Sequence, residues 1–176
     1  MQDQTRLARL SGALYWTVLV LSVMLPLMAL LFAGQGVLDP ASLLHRAPAV
    51  PSETPVTRSQ AGLVAAVTLL SVLPMVTALR AMARLFDHYR MGDVLSQGNA
   101  EAILTIGRAL VVVAVFAILT PTAQTLILSW DADQRTLQIG LDGGTLGFLI
   151  AAGLLTVIGW AMREAARVKA ENEGFV

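Results

Sequence analysis

The sequence predicts an all-α membrane protein: four transmembrane helices in two hairpins, with helices two and three extending into a cytoplasmic elbow. Three observations predict it. Apolar residues make up 56% of the 176 and charged residues 14%, against about 25% charged in a soluble domain. The charges are confined: four stretches, about 12–34, 61–79, 109–129 and 145–162, hold none. Each is close to the ~20 apolar residues that cross a hydrocarbon core. Lys and Arg, finally, are shared unequally between the segments that join the four stretches. The competing architecture is a soluble bundle of buried helices. Such helices would carry polar outer faces, and these do not.

Taken in order, the chain opens with Arg6 and Arg9 ahead of the first apolar run. That run is too long for a signal-peptide core, and Phe32-Ala33-Gly34 makes a poor cleavage site, so span one reads as a retained anchor. The first outside loop, 35–60, holds Pro40, Pro48, Pro51 and Pro55. Asp39-Pro40 predicts a short helix through His45, since Asp caps and Pro suits a first turn. Span two starts near Ala61 and passes Pro74. Its helix is expected to run on to Met91, where Gly92 supplies the stop. Asp93, Val94 and Leu95 make the turn, and Ser96 is the N-cap of the next helix. That helix, from Gln97 to about Ser129, would be roughly 50 Å long, well beyond a ~30 Å core. Hence the elbow, 80–108.

The second outside loop is 130–144. Within it 136–141 alternates as a strand does, with Leu137, Ile139 and Leu141 on one face. A lone strand needs a partner, in the first loop or in another protein. Span four follows, and its helix continues as a cytoplasmic C-terminal segment, 163–176. With four spans, the N-terminus, the elbow and the C-terminus share a side carrying nine Lys and Arg, and the other side carries three. The positive-inside rule puts both termini in the cytoplasm. Trp16, Trp130 and Trp160 fall near span ends, where indole rings prefer the interface.

Zero net charge removes any bulk electrostatic case for binding nucleic acid. The absence of cysteine removes disulfides, thiolate metal sites and Cys nucleophiles together. His45 and His88 fall on opposite sides of the membrane and cannot share a metal. No catalytic triad, pair of intramembrane acids or phosphate loop is legible, so neither an enzyme nor a cofactor is expected.

Two candidate sites remain. Gln124, with Thr120, Thr122 and Thr125 around Pro121, is the most polar point in any span. It reads either as a substrate contact at a broken helix or, the blander choice, as hydroxyl and amide groups that satisfy the carbonyl freed by Pro121 and glue helices together. No Asp, Glu or Lys lies deep in a span, which argues against proton-coupled transport. The other candidate is the elbow. Arg80, Arg84, Asp87 and Arg90 line its first arm, and spacings of three and four put Arg84, Asp87 and Arg90 within pairing reach. They form a collar at anionic headgroups or part of a docking site made by Arg84, Phe86, Tyr89, Gly92, Ser96 and Asn99. Arg108 can snorkel to the headgroups. Gly143, Gly147 and Ala151 put small residues on one face of span four, which permits close packing, within the chain or between copies of a homo-oligomer. The mixed charges of 163–173 read as a solvated extension.

The residues Leu85, Phe86, Tyr89, Gly92, Ser96, Asn99, Ala100, Ile106, Gly107 and Arg108, followed by two spans and by Glu171-Asn172-Glu173 ahead of Phe175-Val176, resemble the domain-of-unknown-function 2975 family of small bacterial membrane proteins. The resemblance implies a four-span inner-membrane protein of no established activity and no catalytic residues. It also implies a possible partner, a small helix-turn-helix transcription regulator encoded beside the gene in some bacteria. The family's elbow has a Phe where this chain has Leu95. Two functions follow as expectations. One is a non-enzymatic protein that binds a cytoplasmic regulator or serves as an accessory subunit of a larger membrane complex. The other is a small oligomeric permease or channel built around Gln124.

Overall fold

The computed structural model describes residues 2–92, 96–132, 135 and 137–173, and the side chains of all of these except 2–8, 169, 170, 172 and 173. Five helices follow one another: α1 (Gln2–Leu38), α2 (Ser42–Arg46), α3 (Arg58–Arg90), α4 (Gln97–Leu128) and α5 (Gly143–Glu173). There is no strand among the described residues. Within α1, α3, α4 and α5 lie four segments long and apolar enough to cross a membrane, 9–38, 58–90, 97–128 and 143–168. Large apolar side chains such as Leu31, Ile150, Leu154 and Val157 stand exposed along α1 and α5. Water penalises continuous apolar surface of this kind, whereas hydrocarbon solvates it. The fold is that of a multi-pass membrane protein.

The long helices form an open row. α1 packs on α3, α3 on α4 and α4 on α5, and no other pair of long helices makes a comparable interface. Two antiparallel hairpins, α1/α3 and α4/α5, therefore meet mainly through α3 and α4. Three apolar clusters hold the row. Val18, Leu79 and Ala83, with Met75 and Phe86, seal α1 to α3. Ala81, Leu85, Ala102, Ile103 and Ile106 join α3 to α4, and Leu155 and Met162 of α5 pack on the same cluster. At the opposite end Leu43, Leu44 and Ala47 of the α2 segment pack with Ala61, Val64 and Leu128.

The helix ends show where sequence rules act. Ser96 caps α4, its Oγ accepting from Asn99 N at 3.4 Å. Gly92 ends α3 at φ +84°, a left-handed conformation that favours glycine. α3 begins three residues before the expected Ala61, because Thr57 and Gln60 form a capping box that satisfies two orphan donors at once. Gln60 Nε2 also donates to Asp131 Oδ2 at 3.1 Å and so ties the start of α3 to the end of α4. α2 starts at Ser42, later than expected. Asp39 contributes its backbone carbonyl, which accepts from Ser42 N and Ser42 Oγ, in place of a side-chain cap.

Two expectations are corrected by the packing. The small-residue face of Gly143, Gly147 and Ala151 makes no close helix contact among the described residues, so the packing expected within the chain is not made there. A Cβ at Gly143 or Gly147 would meet no atom within 4 Å, and Ala151 is exposed. The close approach is made by Gly107 of α4 and Gly159 of α5. A Cβ at Gly107 would fall 2.6 Å from Thr156 N, and one at Gly159 would fall 2.6 Å from Leu104 N. Each glycine thus lets the other helix's backbone come within touching distance. That register carries Gly143 to the level of Thr120, so α5 starts about 12 Å short of the far end of α4.

The second correction concerns 137–141; Thr136 lies outside the described residues. This segment forms no strand. It runs down α4 beside the missing length of α5. Thr122 Oγ1 donates to Gln138 O at 2.7 Å, and Gln138 N donates to Thr125 Oγ1 at 3.3 Å. The alternation in the sequence is real: Leu137, Ile139 and Leu141 are 61%, 64% and 56% exposed. The partner on the other face is a helix, whose threonine hydroxyls replace the ladder of a neighbouring strand. Gly140 permits this, since a Cβ there would stand 3.3 Å from Ala117 O and 3.4 Å from Pro121 Cγ. Pro121 has no N–H to donate to Ala117 O, and Gly140 lies against that unclaimed carbonyl.

Candidate functional site

The junction of α3 and α4 is built from the inside outwards. Asn99 is wholly buried, because Ser96 turns the chain into α4 with Asn99 on its inner face. Its Oδ1 lies 2.7 Å from His88 Nδ1 on α3. An amide oxygen only accepts, so the ring nitrogen carries the proton in this pairing. The Gly98 backbone approaches the same ring, a Cβ there being 3.5 Å from His88 Cε1. Tyr89 is half-buried against the cluster of Ala81, Leu85 and Ile103, and Phe86 is half-buried on the α1 side. Arg84, Arg90, Met91 and Gly92 remain exposed.

Of the charged groups on this arm, Arg90 Nη2 and Asp87 Oδ1 pair at 2.8 Å. The Arg90 guanidinium also stands 5.4 Å from the centre of the Tyr15 ring, which ties the end of α3 to α1. Arg84 makes no ion pair among the described residues. Of the predicted docking residues, Arg84 and Gly92 are thus exposed, Ser96, Phe86 and Tyr89 are half-buried, and Asn99 is buried. Residues 93–95, which include the predicted turn and Leu95, lie outside the described residues. Past the α5 apolar stretch, Arg167 pairs with Glu164, and with Glu171 at 3.9 Å. These are the i,i+3 and i,i+4 pairs of a solvated helix.

The polar point within the row is already occupied by the chain. Gln124 Nε2 donates to Thr68 Oγ1 on α3 at 3.0 Å. Thr125 Oγ1 sits 2.9 Å from Pro121 O and 3.1 Å from Thr122 O, and Thr122 donates to Ile118 O. These groups join helices and hold the 137–141 segment. None of them reaches the carbonyl that Pro121 frees, contrary to the simplest reading of the sequence. Thr120 Oγ1 is buried with no hydrogen-bond partner among the described residues. No cluster of metal-ligating side chains is found among the described residues.

Sequence reasoning missed a third feature. α1, α2, α3 and α4 enclose a cavity of about 310 Å³ between Arg46 at one end and Thr68 and Gln124 at the other. Four of its eleven lining residues are alanine, a residue that carries no motif. No single stretch of sequence points to it, because its lining is drawn from four elements, four positions from α3 and two or three from each of the others. A shallower groove between α3 and α4, beside Pro74, holds the exposed Arg108.

Taken together, these features define a multi-pass α-helical membrane protein with an internally braced helical junction at one end. The chain belongs to the family described as "Protein of unknown function (DUF2975)", whose model matches residues 45–175. The match begins in α2 and leaves α1 outside it. No curated protein and no solved structure matches the chain.

Proposed function

We propose that this is a non-enzymatic protein of the bacterial inner membrane, with both termini cytoplasmic, that docks a cytoplasmic partner through the α3–α4 elbow and the extension of α5. The partner is a helix-turn-helix regulator or a larger membrane complex in which this chain is an accessory subunit. One observation carries the reading: α3 and α4 continue past their apolar stretches and stay packed on each other there. Helices that end at the headgroups need no such core. The contacts of Ala81 and Leu85 with Ala102 and Ile103, with the His88–Asn99 bond, brace the α3–α4 junction that this reading places outside the bilayer. The excess of Lys and Arg on that side supports the orientation.

The test is affinity purification of the full chain from native membranes in mild detergent, followed by mass spectrometry. It compares wild type with Arg84→Glu combined with Met91→Ala, which alters the exposed rim and spares Asn99. The proposal expects one stoichiometric cytoplasmic protein or membrane complex in the wild type and its loss from the variant. Identical partners in both would end the docking idea.

A second reading, an oligomeric permease or channel, has the Gln124–Thr68 pair beside a cavity in its favour. It requires that folded Gln124→Leu protein lose flux in liposomes. The Gln124 N–H already bonded to Thr68 and the open row of helices favour the first reading.

A further inference from the structure

We propose that the cavity beneath α2 is a lipid site, taking one acyl chain of an anionic phospholipid whose phosphate rests on Arg46. The chamber is about 310 Å³, at the lower end of the ~300–1,000 Å³ common for small-molecule sites. It exists because α1 and α4, two of its walls, do not pack on each other. Ala33, Ala47, Ala61 and Ala65 line it with methyl groups where larger side chains would close it. Its depth along α3, from Ala61 to Thr68, is about 10 Å. At the bottom a Gln124 N–H is already spent on Thr68, so the deep end suits hydrocarbon better than a polar head.

The mouth has the opposite character. Arg46 is held by neutral groups alone. Its Nη1 lies 3.4 Å from Phe32 O, its Nη2 lies 3.2 Å from Gln35 Oε1, and its guanidinium stands 4.9 Å from the Phe32 ring centre. No described carboxylate forms an ion pair with it. A guanidinium carries five donors, so this fixed cation has N–H groups and a charge to offer. It stands at the end of the apolar segments, at the level of lipid headgroups. A phosphate there gains a charge-assisted hydrogen bond, and its acyl chain enters the chamber without leaving the bilayer. A free anion would meet a single cation and make no use of the apolar chamber behind it. The occupant that matches both ends is therefore a phospholipid of the surrounding leaflet.

The full chain is reconstituted into vesicles of phosphatidylglycerol and phosphatidylcholine in equal parts, with oleate added in one arm. Lipids that stay bound on release into the gas phase are then read by native mass spectrometry. Wild type is expected to retain phosphatidylglycerol over phosphatidylcholine by about fivefold, the effect of one basic side chain at an anionic surface. Arg46→Gln should still retain a lipid but without headgroup preference. Ala65→Phe fills the chamber and should lose the lipid while circular dichroism shows intact helices. Ala47→Phe fills it from the roof and decides the matter if Ala65→Phe does not fold. Equal retention of the two lipids by wild type, preference surviving in Arg46→Gln, or oleate displacing phosphatidylglycerol would each overturn the proposal. These readouts are independent of the elbow and of any partner bound there.

Discussion

The α4–α5 crossing offers the sharpest quantitative test, because sequence and structure point to different glycines. A Cβ at Gly107 would lie 2.5 Å from Thr156 Oγ1, 2.6 Å from Thr156 N and 2.7 Å from Thr156 Cα. Carbon contacts are comfortable at about 3.5–4.0 Å, so Gly107→Ala forces the helices about 1 Å apart. Two of the three atoms are backbone and cannot rotate away. Overpacking of this kind costs about 1–3 kcal/mol, and replacing a mid-helix glycine returns about 1 kcal/mol of helix propensity. The net loss is about 0–2 kcal/mol. Gly159→Ala meets Leu104 N at 2.6 Å and Ile103 C at 3.0 Å, and should cost the same. The double variant should cost less than the two singles together, since one separation relieves both contacts. Gly147→Ala, with nothing within 4 Å, should be neutral or stabilising. Reversible unfolding in mixed micelles measures all four. Reasoning from the crossing fails if Gly107→Ala is neutral while Gly147→Ala destabilises. That result would mean the chain packs through the face of Gly143, Gly147 and Ala151.

Other expectations follow from single contacts. A double-mutant cycle of His88→Ala and Asn99→Ala should give a coupling near 1 kcal/mol; additive effects would show that the 2.7 Å contact contributes no net stability. Thr125→Val removes the hydroxyl that Gln138 N reaches and should destabilise by about 1 kcal/mol, with faster proteolysis near Ile139. Thr120→Val removes an unpartnered hydroxyl and should be neutral or stabilising; equal losses in the two variants would contradict the assignment of partners. Gln124→Leu should cost about 0.6 kcal/mol, the typical worth of a hydrogen bond between membrane helices, and leave the fold intact. A collapse of the fold would mean that the amide does more than bond Thr68.

The parts legible in the sequence were those set by local chemistry. Four uncharged runs fix four long helices because hydrocarbon tolerates no unpaired backbone groups. Gly92 marks a helix end because it lacks a Cβ, and Ser96 marks one by the cap its side chain forms. The row order and the α4–α5 contact were not legible. A spacing of four says which small residues could approach a neighbour, not which ones do, and Gly143, Gly147 and Ala151 showed the tidier spacing. Gly107 carried a weaker signal: a glycine in mid-helix costs stability and so calls for a reason. Asn99 looked like a surface residue because Asn usually is one, and only the fold brings His88 to it. The alternation at 137–141 was readable, but its helical partner was not, since threonines on a helix do not announce a strand-like role. Arg46 and the alanine-lined chamber meet only in three dimensions.

The most direct test of the account is topology by single-cysteine labelling, which needs no background removal because the chain has no cysteine. Met91→Cys lies at the α3–α4 junction, Glu171→Cys in the extension of α5 and Glu53→Cys between α2 and α3, all three at exposed positions. A membrane-impermeant maleimide should label Glu53→Cys in intact cells, and should reach Met91→Cys and Glu171→Cys only in inverted vesicles. Labelling of Met91→Cys from outside the cell would contradict both the four-span topology with cytoplasmic termini and the cytoplasmic docking surface that depends on it.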